Sequence, residues 1–124
     1  MKYVLADTST YWWPVTVKRP DPARPGKLVE MTFEAEFEFR DQDQLMAENE
    51  AMNAAPTLRK QVEVERENLA GRIVGWKGID DGNGGEAVFS KAALMNELKN
   101  AWFRTGVYKA ISESLYGEEA RLGN

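Results

Sequence analysis

The most constraining feature of the sequence is the segment 31–40, in which apolar and polar residues alternate strictly. A period of two places alternate side chains on opposite faces of a β-strand. One face would carry an acidic row, and the opposite, apolar face would carry Met31, Phe33, Ala35, Phe37 and Phe39. Such an aromatic face has to be buried against a second layer, so the segment predicts a strand packed on helices or on another subunit.

A second strand is predicted over residues 11–18, which alternate in the same way. Pro14 has no N–H group to donate, so this strand should lie at the edge of its sheet. The segment 19–26 holds three prolines and ends in glycine, which predicts a loop. The two strands should therefore pair as an antiparallel hairpin over residues 11–40. The inward residues of the strand over 11–18 would be Trp13, Val15 and Val17.

Two helices are predicted between the hairpin and the middle of the chain. The first would span 41–52 with Asp41 or Asp43 as its N-cap, and the second would begin near Thr57 and end between residues 71 and 75. The inward positions would be Leu45, Met46 and Met52 in the first helix and Leu58, Val62, Leu69 and Ile73 in the second.

The last third of the chain predicts a loop followed by two helices. The segment 74–85 contains five glycines, which indicates a loop. Ser90 is a suitable N-cap for a short helix, and a final helix should cover about 101–115. The inward positions would be Leu94, Met95 and Leu98 in the first and Trp102 or Phe103, Val107, Ile111 and Leu115 in the second.

These elements predict one α+β domain over residues 1–124, because domains commonly run to roughly 100–150 residues. It would consist of a hairpin over 11–40, three to four helices packed on it within 41–116, and a frayed tail over 117–124. No apolar run approaches the ~18 residues needed to cross a bilayer. Asp7 interrupts the N-terminus before a signal-type stretch forms, so we expect neither export nor membrane association.

The chain contains no cysteine and no histidine. Disulfide frameworks, zinc fingers, Cys or His nucleophile–base pairs and histidine-ligated metals are therefore excluded. The serines lack a histidine that could activate them. We expect a protein that is not an enzyme and has no cofactor and no metal, and that acts through contact with other proteins.

Two acidic segments contain residues that could form a metal site or an acid–base catalytic site, but a structural role is favoured for both. The segment 80–86 has the clustered carboxylates that Ca²⁺ prefers, but its spacing fails the EF-hand pattern, so a glycine turn is favoured. The acidic row of the strand over 31–40 would need a desolvated cleft for acid–base work, and an exposed strand face does not provide one.

The charge distribution is uneven, with 16 basic and 20 acidic residues and a net charge of −4. This balance argues against nucleic-acid binding, which needs a basic surface. Residues 18–27 are basic and residues 30–50 are acidic. The two segments could steer a charged partner, but a basic turn followed by a solvated acidic face is the favoured interpretation. A nucleic-acid regulator that uses Lys18, Arg19, Arg24 and Lys27 is the least favoured class.

The four tryptophans are candidates for core or interface positions, since indoles are enriched in both. We expect Trp76 and Trp102 in the core. Trp12 and Trp13 are adjacent on a strand and must point to opposite faces, so one of them is an interface candidate.

The C-terminal half combines an apolar helix ending in Trp76-Lys77-Gly78, an acidic glycine turn, a Phe89-Ser90 helix start and a final helix. This combination over 69–116 resembles the tail assembly chaperones of long-tailed phages, the lambda G-like group. The basic loop and Phe-rich strand upstream extend the likeness to about 15–116, with its most specific part at 74–90. The Trp12-Trp13 pair has no counterpart in the family.

The resemblance implies a non-enzymatic chaperone that binds the tape measure protein and keeps it soluble while the tail tube protein polymerises around it. It implies a location in the host bacterial cytoplasm and absence from the mature virion, whether the source is a phage or a prophage. The alternative is a minor structural or connector protein that is retained in the phage tail.

A chaperone of this kind needs exposed apolar surface and enough charge to remain soluble. We expect a homo-oligomer that exchanges its own contacts for its client, although the same residues could instead close the core of a monomer. The candidate interaction residues are Trp12, Trp13, Phe33, Phe37, Phe39, Trp76, Trp102, Phe103, Val107 and Ile111.

Overall fold

The computed structural model describes residues 1–5 and 9–117 and has the predicted α+β architecture, with an N-terminal hairpin followed by helices. Residues 118–124, most of the tail predicted to fray, lie outside the described part of the chain. None of the described helices is both long enough and apolar enough to cross a bilayer. The elements in chain order are β1 (Thr10–Pro20), β2 (Leu28–Glu38), α1 (Gln42–Ala54), α2 (Leu58–Arg72), β3 (Ile73–Lys77), α3 (Lys91–Glu97) and α4 (Ala101–Tyr116).

Strands β1 and β2 form the predicted antiparallel hairpin. Their register runs without a break from Thr10 opposite Glu38 to Pro20 opposite Leu28. The sheet order is β1-β2-β3, so β1 lies at an edge, as the proline at position 14 predicts.

The loop of the hairpin is closed by its own polar groups. The Asp21 N–H donates to the Lys27 carbonyl oxygen at 2.9 Å, and Gly26 takes a positive φ of 80°. The Asp21 carboxylate accepts from the Ala23 N–H and the Arg24 guanidinium, and these two hydrogen bonds lower the pKa of Asp21. The loop therefore holds its shape without burying apolar residues.

The third strand, β3, is not among the predicted elements, because the sequence predicts a helix end and a loop over this segment. Ile73, predicted on the helix stripe, is instead a buried residue of β3. Trp76 lies opposite Ala35 of β2, and the register shifts by a bulge at the other end of the pair. A β-carbon at position 75 would lie 3.1 Å from a carboxylate oxygen of Glu36 and 3.7 Å from the Trp12 ring, so glycine leaves room for these two side chains. The glycine that suggested a loop thus permits close approach within a sheet.

The core lies between the sheet and the C-terminal helix. Helix α4 packs across β1, and the ring of Phe103 stacks on that of Phe33 with centroids 5.5 Å apart. At the far end of the helix, the Tyr11 and Ser114 hydroxyls hydrogen-bond at 2.8 Å. The buried residues are Val15, Val17, Ala35, Phe37, Leu69, Ala70, Ile73, Trp76, Leu94, Leu98, Phe103, Val107, Ala110 and Ile111.

Two side chains fasten the junction between α2, β3 and α3. Lys91, at the start of α3, donates from Nζ to the carbonyl oxygens of Ala70 and Ile73. Its partial burial lowers the pKa of Lys91. The Trp76 indole N–H donates to the carbonyl oxygen of Ala87 at 2.8 Å, and its ring meets the Phe89 ring edge-on. The glycine loop is thereby held against the core.

The predicted helix starts are confirmed in three cases. Asp41 caps α1 in a reciprocal capping box with Gln44. Thr57 and Ser90 cap α2 and α3 by accepting from backbone N–H groups three residues further on.

Several predicted inward positions are wrong. Trp102, predicted in the core, is 38% exposed, because Phe103 takes the inward position of that turn. Leu58 and Val62 are exposed because α2 is buried only at its C-terminal end, where it meets β3. Five further predicted inward residues are also exposed: Met31, Phe39, Leu45, Met46 and Leu115.

The contact at Gly106 provides a test of the packing between α4 and β1. A β-carbon at position 106 would lie 2.6 Å from the carbonyl oxygen of Thr16, which is backbone and cannot move aside. We expect Gly106→Ala to lower the free energy of unfolding by about 1–3 kcal/mol, although alanine is the better helix former by about 1 kcal/mol. Urea denaturation followed by circular dichroism would measure this.

The matched control is Gly71→Ala in α2, where the added carbon meets only the end of the Arg40 side chain. We expect this variant to change stability by less than ~1 kcal/mol. Equal stability of the G106A variant and the unsubstituted chain would show that α4 does not rest on β1 in this way.

Candidate interaction site

The ten candidate interaction residues divide into three groups by exposure. Those in the core are Phe37, Trp76, Phe103, Val107 and Ile111. Trp13 and Phe33 are half-buried against this core. Trp12, Phe39 and Trp102 are exposed. In this conformation, therefore, the first group closes the core of the single chain, and the third group is available for contact with a partner.

Trp12 lies on the outer face of the sheet, as expected for one of two adjacent strand residues. Its ring extends over β2 towards Gly75 of β3. The Lys77 ammonium sits 4.4 Å from the ring centroid and 3.1 Å from a carboxylate oxygen of Glu34. This indole is 43% exposed, and its ring face is already engaged by a lysine.

Phe39 and Trp102 are exposed in different ways. Phe39 follows the end of β2 and packs on the Tyr11 ring, with centroids 4.7 Å apart. Trp102 is in the first turn of α4 beside the inward-facing Phe103.

An open groove lies between α1, α2 and α4. It has a volume of about 300 Å³. Its floor is formed by Leu69 of α2 and Ile111 of α4, and the apolar residues on its α1 side are Leu45 and Met52. We call this surface the helical groove. Its volume is at the lower limit of small-molecule pockets, which commonly measure ~300–1,000 Å³, so it suits a few side chains of a partner.

The α1 side of the helical groove is joined to α2 through Glu48. One carboxylate oxygen of Glu48 lies 3.0 Å from the Arg72 guanidinium, and the other lies 3.8 Å from that of Arg40. The backbone carbonyl of Glu48 accepts from the Asn68 side chain at 3.2 Å. These charges are partly shielded from water, so their interaction is stronger than that of an ordinary surface pair.

The α4 side of the groove carries Tyr108, whose hydroxyl donates to the Glu65 carboxylate at 2.9 Å. Partial burial, together with this hydrogen bond and the nearby negative charge, raises the pKa of Tyr108 to about 12. Tyr108 therefore remains a neutral hydrogen-bond donor throughout the physiological range.

The acidic glycine segment forms a turn in which its carboxylates are used locally. Asp80 accepts from the backbone N–H of Gly82, and Asp81 accepts from those of Asn83 and Gly85. Across residues 1–5 and 9–117, no group of three acidic, cysteine or histidine side chains is placed to hold a metal ion.

No protein-family model matches the chain, and comparison with curated proteins and with solved structures found no similar one.

Sequence reasoning finds some residues of the helical groove but does not bring them together. Leu45, Met52, Leu69 and Ile111 are each predicted on the inward face of a helix, and the structure places all four along one open groove. The sequence signal for the groove is the spacing of seven between Leu45 and Met52, which places both residues on one face of α1. No pattern in the sequence marks Tyr108 or Glu48 as groove residues.

The raised pKa of Tyr108 can be tested by absorbance titration. Tyrosinate absorbs at about 295 nm, and subtracting the titration of the Tyr108→Phe variant isolates the contribution of Tyr108. This contribution should appear with a midpoint near pH 12, whereas an ordinary tyrosine has a pKa of about 10. Because the folded chain holds this proton more tightly than the unfolded chain, the unsubstituted protein should lose stability more steeply than Y108F as the pH rises from about 10 to 12.

The control is Glu65→Gln, which removes the charge and keeps the size. The pKa of Tyr108 should fall in this variant but stay above 10, because burial is the largest cause of the shift. A Tyr108 midpoint at the ordinary value in the unsubstituted chain would show that neither partial burial nor Glu65 raises the pKa of this side chain.

Proposed function

We propose that this protein is a non-enzymatic tail assembly chaperone of a long-tailed phage, which binds the tape measure protein and supports polymerisation of the tail tube protein. The proposal rests on the resemblance of residues 69–116 to that family. The observation that supports it is the open helical groove, which combines an apolar floor with charged flanks.

The groove suits the client that this function requires. Tape measure proteins are long and helical, and a helix is recognised through a stripe of apolar side chains that enters a groove. Leu69 and Ile111 offer a surface for such a stripe, and the charged side chains of Glu48, Glu65 and Arg72 border it. Self-association through the same surface would protect it before the client arrives.

The main test is co-expression with the tape measure protein of the same phage. We expect the tape measure protein to remain in the soluble fraction and to co-purify only when the chaperone is present. Replacing Tyr108, which lines the groove on α4, by Asp should reduce co-purification at least roughly tenfold, because it places a charge against the apolar stripe of the client. Quantitative gel densitometry after centrifugation would measure both effects.

The matched control is Tyr116→Asp, the same chemical change in the same helix at a residue that is 70% exposed and does not line the groove. This variant should behave like the unsubstituted protein. A strictly monomeric protein without affinity for the tape measure protein would contradict the proposed function.

The alternative, a minor structural or connector protein, makes the opposite prediction for the finished particle. A chaperone acts before the tail is complete, so quantitative mass spectrometry of purified virions should find this chain far below one copy per particle while the tail tube and tape measure proteins are abundant. A reproducible stoichiometric amount would favour the alternative.

A further inference from the structure

Helix α1 is unusual in this fold because none of its thirteen residues is buried. Isolated helices of this length are marginal in water, and most helical stability in proteins comes from packing of an apolar face. The contacts that hold α1 against the body of the protein must therefore be few, and they can be identified individually.

The polar part of this docking depends on one residue. Glu48 reaches Arg72 at the end of α2 and Arg40 at the end of the hairpin, and Asn68 donates to its backbone carbonyl. The three charged side chains are only 14–19% exposed. Without the Glu48 carboxylate, the shielded Arg72 guanidinium would lose its ion pair, which is strongly unfavourable, while Arg40 would keep Glu38 at 3.5 Å.

The apolar part of the docking is incomplete. Leu45 and Met52, one above the other on α1, face Leu69 and Ile111 across the groove, and about 300 Å³ of open space remains around them. Leu45 is still 41% exposed. Side chains that lack neighbours on one side lose the corresponding dispersion energy, so this contact adds little to the docking.

Helix α1 can move as a unit. The capping box joins Asp41 and Gln44, which both belong to the start of α1, and the segment 55–57 separates its end from α2. These contacts would move with the helix. Local opening of such a weakly packed unit requires less free energy than global unfolding.

We propose that α1 is a lid that undocks as a unit, that Glu48 is its latch, and that the face it uncovers, formed by Leu69 and Ile111, receives an apolar helix of the client. Helix α1 already lies against this face, so the shape of the face suits a helix. The identity of the client rests on the proposed function, whereas the lid and its latch do not.

The lid can be tested with a single thiol, because the natural chain contains no cysteine. Ile111→Cys places a thiol on the groove floor, and Val107→Cys places one a turn earlier on α4, in the core away from the groove. Reaction with a maleimide reports how often each position opens. We expect Glu48→Gln to accelerate the reaction at position 111 at least roughly tenfold, with less than a twofold change at position 107.

A matched control and a second measurement keep the result interpretable. Glu63→Gln removes the partner of Lys60 on the solvent side of α2 and should leave both rates unchanged. Hydrogen exchange of the cysteine-free chain should show the same effect, with E48Q increasing exchange over 42–54, because an undocked helix of this length is only marginally stable, and not over β1 and β2. Equal acceleration at positions 111 and 107, or no effect of E48Q on either measurement, would overturn the lid.

The client part of the proposal has its own outcome. Bound tape measure protein should slow the maleimide reaction of the I111C variant at least roughly tenfold. Binding without this protection would refute the uncovered face as the client site and leave the proposed function intact. Absence of any binding, together with the E48Q effect, would refute the proposed function and leave the lid intact.

Discussion

The fold depends on the contact between α4 and the inner face of the N-terminal hairpin. A two-stranded hairpin alone is marginal in water, and its aromatic face has to be covered. Helix α4 covers it by lying so close to β1 that only glycine fits at position 106, opposite the Thr16 carbonyl. That approach lets Phe103 stack on Phe33, and it joins the last helix to the first strand. The C-terminal half of the chain thereby completes a core that the N-terminal half cannot close.

The parts of this fold that follow from sequence are those decided by local chemistry. A period of two predicts β1 and β2, and a proline in β1 predicts its edge position. N-cap residues predict the starts of α1, α2 and α3 within about one residue. The third strand could not be predicted in this way, because Gly75 is typical of a loop and becomes a strand residue only where two strands and the Trp12 ring approach closely. Which of Trp102 and Phe103 faces inward depends likewise on the rotation of α4 about its axis, which packing decides.

The helical groove shows the same division between local and tertiary information. The sequence draws attention to aromatic residues, of which three are buried in the core and four more pack against it. The groove is built instead from Leu45, Leu69 and Ile111, which come from three helices and become neighbours only after folding. Each of these residues resembles an ordinary core position in its own helix. No pattern within a single helix indicates that a space remains between them.

Under the proposed function, the incomplete packing of α1 has a thermodynamic consequence. A permanently open apolar face would bind its client tightly but would also promote aggregation. A lid that is mostly closed lowers the apparent affinity by the fraction of open molecules and keeps the face shielded between encounters. Glu48 is suited to set that fraction, because a shielded ionic contact holds or releases the helix without disturbing the apolar core beneath α4. The three acidic residues of α1, with no basic residue among them, also keep the displaced helix well solvated.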